Sequence, residues 1–256
     1  MVNFGHSFDV TQQNWRERRE LALLGQTNQL SFQPNIEYGL LDLAEAGAEP
    51  TPISDAMVLG LALRQAGGGS WPSSLDIRPP LSASVIASTA LAVRGVHEFS
   101  PPGRRDEMAA RVSRAADFLR RSTPIDTQDQ VYKLLGLLWA GAAPAEVGRE
   151  RAALISLQRA DGGWAQIPSM SPDAYATGEA LFALHAAGMV PSDPVYRRGT
   201  DHLLATQLED GTWFVRTRAF GFQRHFETGF PYGRSQFISI AATAWAATAL
   251  AYTLGQ

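Results

Sequence analysis

The 256-residue chain contains no cysteine. That excludes a disulfide framework, a thiolate metal site, c-type haem attachment and a cysteine nucleophile. Lysine is nearly missing too: Lys133 stands alone, and arginine supplies the other 21 of the 22 basic residues. Schiff-base chemistry therefore has one candidate. No excess of positive charge exists; the net charge is −3, which speaks against a nucleic-acid partner, since such proteins carry a basic stripe. The five histidines, His6, His97, His185, His202 and His225, show no HExxH or other tight ligand spacing, so neither a metal site nor a cofactor is expected. Long apolar runs are lacking as well. The nearest approach is Gln236 to Tyr252, rich in Ala and Thr and interrupted by Trp245, which reads as a buried helix rather than a transmembrane segment. Residues Met1 to Ser7 show no basic region leading into an apolar run, so no targeting segment is read. The expected location is the cytoplasm, with a peripheral place on a membrane surface as the alternative.

What the chain does have is helical patterning. With 45% hydrophobic residues it can build a core, and its apolar residues recur at three- and four-residue spacing. Pro and Gly clusters cut this pattern into helices predicted at 12–24, 35–46, 53–66, 82–96, 105–121, 129–141, 145–158, 173–187, 194–207 and 236–252. The best strand signal, Trp213-Phe214-Val215, is short.

A repeat runs through the helices. Gln158-Arg159-Ala160-Asp161-Gly162-Gly163-Trp164 recurs as Gln207-Leu208-Glu209-Asp210-Gly211-Thr212-Trp213, and a worn copy is Gln65-Ala66-Gly67-Gly68-Gly69-Ser70-Trp71. The Gln–Trp offset is six in all three; the better copies lie 49 residues apart, and the worn copy precedes the middle one by 93, about two periods. A fourth copy is missing near Phe118 to Thr123, where no Trp follows. The segments after the turns also match: Ala176 to Leu184 and Ala242 to Leu250 are identical at five of nine positions. Each unit is a polar-faced helix, a Gln…Asp-Gly-x-Trp turn and a more apolar helix, which must stack on its neighbours to bury its apolar face. Asp-Gly permits the reversal at φ > 0, and the Gln and Trp read as structural clamps with no chemistry assigned. Ten helices pair into five hairpins in one domain spanning 1–256, with 1–11 as a poorly ordered N-terminal arm.

The turn, best seen in Arg198 to Gln207 followed by Asp210-Gly211-Thr212-Trp213, resembles the QW motif of squalene–hopene and oxidosqualene cyclases. It is more loosely similar to the β subunits of protein prenyltransferases. The likeness runs from about Glu37 to Leu250 and looks closest to uncharacterised bacterial squalene-cyclase-like repeat proteins, above all around Asp173 to Leu181. It implies an all-α fold, an α/α toroid of inner and outer helices around an apolar cavity. Complete rings of this type have six hairpins, so five imply an incomplete ring. An open flank would be apolar and would offer a homodimer or partner-chain surface.

The resemblance also implies where chemistry would sit. Bacterial cyclases carry D-x-D-D-T and eukaryotic ones D-C-T-A-E, whose aspartate protonates the alkene or epoxide. Asp173 to Thr177 aligns with the first and Tyr175 to Glu179 with the second, and both place Tyr175 at the proton donor. A phenol with a pKa near ~10 is a poor acid for an alkene. Prenyltransferases hold zinc with Asp, Cys and His; Asp173 matches the aspartate, but there is no cysteine, and Ser235 to Ser239 offers no histidine. The zinc site is therefore not assembled.

Other features remain as candidates. The segment from Phe214 to Ser235 is long, without a clear helix, and holds four arginines and many aromatics. It reads either as a gate, with Arg224, His225, Phe226, Phe230 and Tyr232 facing a ligand, or as a cap on the last hairpin. The inner-helix openings supply Asp173, Tyr175 and Glu179 from one helix and Asp129, Val131 and Tyr132 from the preceding one. Asp173 is equally well placed to cap its helix. Glu179 is a carboxylate inside an apolar helix, which needs a partner or a raised pKa. The expected function is binding of an isoprenoid or other elongated apolar molecule without the standard acid. The alternatives are a terpene cyclase or isomerase using Glu179, Asp173 or Glu227, and a carbohydrate-acting toroid with two carboxylates across a cleft.

Overall fold

The computed structural model describes residues 33–72, 79–81, 83–219 and 226–254. The arm expected at 1–11 and the helix expected at 12–24 lie outside the described residues. Among the described residues the fold is all-α, with nine α-helices and no strand. They are α1 (Gln33–Glu45), α2 (Pro52–Ala62), α3 (Val85–Glu98), α4 (Arg105–Arg121), α5 (Thr127–Trp139), α6 (Pro144–Ser156), α7 (Ala174–Ala186), α8 (Pro194–Thr206) and α9 (Gln236–Ala251). All nine correspond to helices expected from the periodicity, with ends shifted by at most four residues. Local rules account for several ends. Thr51 and Ser54 form a capping box ahead of α2, Pro52, Pro144 and Pro194 stand in first turns, and Asp193 caps α8.

The chain divides into two compact units, one built from 1–74, 85–122 and 139–142, the other from 75–84, 123–138 and 143–256. In the first, α1 lies against α3, and α4 packs on α3. Its core gathers Ile36, Leu40, Met57, Leu61, Trp71, Val93, Phe99 and Met108, all buried. In the second, α7 packs against both α8 and α9. Gly178 makes the α7–α9 approach possible, because a Cβ there would stand 2.6 Å from the Trp245 carbonyl carbon. From α3 to α8, buried helices (α3, α5, α7) alternate with helices that keep a charged or polar face in water (α4, α6, α8).

The three Gln…Trp turns are built alike, bond for bond. In each, the glycine four residues after the Gln has positive φ: +96° at Gly69, +88° at Gly162, +80° at Gly211. The residue after the Gln donates its N–H to the carbonyl of the residue before the Trp: Ala66 to Ser70, Arg159 to Gly163, Leu208 to Thr212, each at 2.9 Å. The Gln amide nitrogen donates to the glycine carbonyl at 2.9–3.0 Å. The Trp indole N–H reaches back ten residues to a leucine carbonyl near the end of the preceding helix: Leu61, Leu154 and Leu203, at 2.7, 2.9 and 2.9 Å. The Trp backbone N–H donates to a threonine hydroxyl on the following helix: Thr89, Thr177 and Thr243. Each tryptophan thus ties both helices of its hairpin. The three indoles are buried; at ~150–250 Å² each and roughly 25 cal/mol per Å², each contributes about 4–6 kcal/mol as an upper value.

The first two turns also clasp the next helix. Gln65 donates to the Arg111 carbonyl on α4 and accepts from Arg114, while Gln158 donates to the Val195 carbonyl on α8 and accepts from Arg198. Space is tight there: a Cβ on Gly69 would lie 2.2 Å from the Arg114 carbonyl oxygen, and one on Gly162 would lie 2.3 Å from that of Arg198. Gly211 meets nothing nearer than its own Gln207 side chain at 3.9 Å, and Gln207 is exposed.

The strand signal at 213–215 resolves differently from a sheet. Residues 213–217 are extended, but their alternate N–H groups are satisfied by a helix. Trp213, Val215 and Thr217 donate to the hydroxyls of Thr243, Ser239 and Ser235 at 3.0–3.2 Å. Two extended residues advance ~6.6 Å and four helical residues ~6 Å, so an extended segment running antiparallel to a helix can keep register with hydroxyls placed every fourth residue.

The glycines provide a direct check of the clasp. Gly162→Ala and Gly211→Ala both place a side chain at positive φ, which costs ~1–2 kcal/mol. Gly162→Ala must in addition push the turn off α8, so it should cost at least ~1–3 kcal/mol more, the usual range for overpacking. Urea unfolding of the two variants measures the difference; equal losses would show that the turn does not clasp α8.

Candidate functional site

The best-built polar site lies in the second unit, where α5 and α7 begin. The chain leaving Trp164 stitches the two openings together. Thr127, first residue of α5, donates its N–H to the Gln166 carbonyl and its hydroxyl to the Ala165 carbonyl at 2.6 Å. Asp173, ahead of α7, donates its N–H to the Trp164 carbonyl at 3.1 Å. Asp173 caps α7, its Oδ1 accepting from the Ala176 N–H at 3.0 Å. Its Oδ2 accepts from Gln166 Nε2 at 2.9 Å, and Gln166 Oε1 accepts from Arg218 Nε at 2.8 Å. Asp126 does the same service for α5, accepting from the Asp129 N–H. Asp129 in turn takes the Ser84 hydroxyl and the Ile125 N–H.

Six residues on from Asp173, nearly two turns along α7, is Glu179, only 1% exposed. Tyr175 sits beside it, its hydroxyl 3.2 Å from Glu179 Oε1 and 3.3 Å from Gln128 Oε1. Gln128 is held from its other end by donation to the Pro80 carbonyl at 2.9 Å. Burial pushes the Glu179 pKa up to about 8; the phenols of Tyr132 and Tyr175 pull it down, and the neighbouring charges of Asp126 and Asp173 push it further up. Glu179 is therefore a neutral carboxylic acid at pH 7. Asp126 and Asp173 are also raised, each mainly by burial, with the Arg218 charge among the opposing influences. Among the described residues, Glu179 Oε2 and one terminal nitrogen of Arg218 are buried without a hydrogen bond. Such atoms are uncommon in folded proteins. Beside the α5 opening is a cleft of about 630 Å³, within the usual size of small-molecule sites, whose walls include Ile125, Asp126, Thr127, Gln130, Leu157 and Ile167.

The expected site residues fall into three groups. Glu179, Asp173, Tyr175 and Tyr132 are together in this buried cluster. Arg224 and His225 lie outside the described residues. Phe226, Glu227, Phe230 and Tyr232 are elsewhere. Phe226 is 66% exposed and Glu227 is exposed. Tyr232 joins the third turn, in hydrogen bonds with Thr212 and Asp210, and its ring meets those of Phe214 and Phe230. Gln236 fastens the stretch before it, accepting from Thr228 and donating to the Phe226 carbonyl. The long segment thus has two ends with different surroundings: Arg218 enters the buried cluster, and Tyr232 secures the terminal turn. Trp139 stands beside Arg94, and Trp245 beside Phe182.

Gln128, Gln166, Asp126 and Arg218 were not singled out from sequence. Gln166 and Asp126 look like ordinary turn residues, and Arg218 is one of four arginines in its segment. Only the stitching of 164–166 to both helix openings brings them together. The comparisons add no relative: no family model matches the chain, and no curated protein matches it.

Glu179 makes stability depend on pH. Its folded pKa lies above its unfolded value, so the native state holds a proton that the unfolded chain releases between about 4.5 and 8. Stability should fall as pH rises through that window, and the wild-type loss should exceed that of Glu179→Gln. Denaturant midpoints of both proteins at pH 6 and pH 8 check this. Parallel lines would mean that Glu179 is ionised in the native state.

Proposed function

We propose that the chain is a terpenoid-cyclase-like helical toroid that binds an elongated apolar molecule, such as an isoprenoid, and fixes its polar end at the Glu179 cluster. The carrying observation is the fully buried carboxyl of Glu179, whose pKa burial raises and whose Oε2 makes no hydrogen bond among the described residues. A protonated carboxyl can donate to a ligand oxygen, and the spare Arg218 N–H offers a second donor. The cleft of about 630 Å³ beside the α5 opening shares Asp126 and Thr127 with this neighbourhood. The Gln…Trp hairpins support the toroid reading.

The same proton favours a second reading, a cyclase or isomerase with Glu179 as its acid. A group with a pKa of about 8 holds its proton at neutral pH but gives it up only to a reasonably basic acceptor. An unactivated alkene is far too weak a base, so binding is the better fit to this acid, and Tyr175 at the standard donor position points the same way.

Thermal denaturation of the purified chain with farnesol, geranylgeraniol, squalene and a straight-chain alcohol separates these readings. An isoprenoid alcohol should raise the melting temperature, by ~4–8 °C for each ~1 kcal/mol of linkage in a small domain and about half that in a larger one. Glu179→Ala should abolish the effect, and Glu179→Gln, which keeps a donor, should retain part of it. Absence of a shift with every compound would overturn the binding reading. Organic extraction after incubation with squalene or oxidosqualene should return the substrate unchanged; a polycyclic product lost in Glu179→Gln would establish the enzyme instead.

A further inference from the structure

Helix α9 contains no charged residue between Gln236 and Ala251. A helix that is apolar on every side belongs in an interior. It is covered by α7, by α8 and, along its hydroxyl row, by residues 213–217. Among the described residues its remaining side is open. Phe237, Ile240, Ala244, Ala247 and Ala251 are exposed along it, and the turn after the helix, where Leu254 donates its N–H to the Ala251 carbonyl, adds Leu254 at 85% exposure. Of the twelve large apolar side chains that stand exposed among the described residues, seven lie between Leu204 and Leu254, so exposed apolar surface concentrates in this terminal hairpin. The third Gln…Trp turn, on the same hairpin, is also open, since Gly211 meets no neighbouring helix where Gly69 and Gly162 do.

The order of side chains on this face says what fits it. The intervals from Phe237 to Leu254 are three, four, three, four and three residues, a sequence that reads the same in both directions. Two copies of the face laid antiparallel about a two-fold axis between Ala244 and Ala247 bring every position onto a counterpart. Ala244 meets the partner's Ala247, Ile240 meets the partner's Ala251, and Phe237 meets the partner's Leu254. The centre is small against small, which lets the backbones approach, and the bulk lies at the two ends, where rings and branched chains can pack beyond the crossing point. An isologous interface needs this self-complementarity. With no charge on the face, no like-charge pair opposes it.

We propose that the exposed face of α9 is the interface of a symmetric homodimer of this chain. One helix face supplies fewer residues than the ~20–30 per side of a standard interface, so the dimer dissociates on dilution.

Sedimentation velocity on the full chain, from low to high micromolar concentration, should show a reversible monomer–dimer equilibrium that survives high salt. Ala244→Glu, at an exposed position, should leave the helical circular dichroism and melting temperature near wild type and abolish the dimer. The absence of natural cysteine makes the geometry testable. Oxidation of a mixture of Phe237→Cys and Leu254→Cys should give a crosslinked dimer, and Phe237→Cys alone should not. A wild-type chain that stays monomeric at all concentrations, a dimer unaffected by Ala244→Glu, or crosslinking by Phe237→Cys alone each overturns the proposal. The ligand reading of the Glu179 cluster plays no part in these outcomes.

Discussion

The architecture hangs on the tryptophan that closes each Gln…Trp turn. Its indole N–H holds the carbonyl of a leucine on the helix before it, and its backbone N–H holds a threonine hydroxyl on the helix after it. A hairpin of two helices has little reason to keep one crossing geometry if its connection is free. Here one side chain fixes both arms and buries a large ring between them. In the first two turns the glutamine extends the constraint sideways, to the backbone of the next polar-faced helix, and an arginine of that helix answers its carbonyl. A turn is thus also a joint between neighbouring repeats. The local order passes from one hairpin to the next as it does in other repeat proteins.

The helices were legible because their signal is redundant: apolar spacing, proline at first turns and glycine at the reversals all agree. Thr177 and Thr243 were visible as identities between repeats, yet nothing in the sequence says that a threonine on one helix serves a backbone N–H thirteen or thirty residues earlier. The extended run at Trp213 misled in an informative way. β-Branched and aromatic residues favour extended backbone, but whether a strand partner exists is decided by the rest of the fold. Here the partner is a row of hydroxyls. The Glu179 cluster was half legible. A carboxylate in an apolar helix is a sequence-level anomaly. The glutamines and Arg218 that complete the cluster carry no such mark, because polar residues near loops are ordinary until the loops are folded.

Electrostatically, the cluster is acidic groups crowded away from water with one guanidinium to balance them. Burial raises Glu179, Asp126 and Asp173 together, and the charges of Asp126 and Asp173 raise Glu179 further. The caps take up Asp173 and Asp126, whose carboxylates already serve helix N–H groups. Glu179 has no such duty. Its Oε1 lies within hydrogen-bond distance of Tyr175, and its Oε2 makes no hydrogen bond among the described residues.

The hydroxyls of Ser235, Ser239 and Thr243 have a consequence for how this chain can change over time. They pair a two-residue period on the extended segment with a four-residue period on the helix. Loss or gain of one residue within 213–217 would exchange the inward and outward side chains and put the wrong N–H groups against the helix. Loss of one residue within α9 would turn its hydroxyl row by about 100° away from the segment. Neither element can alter its length alone. Insertions at this end of the protein are confined to the stretch between them, and that is where the chain is longest between helices.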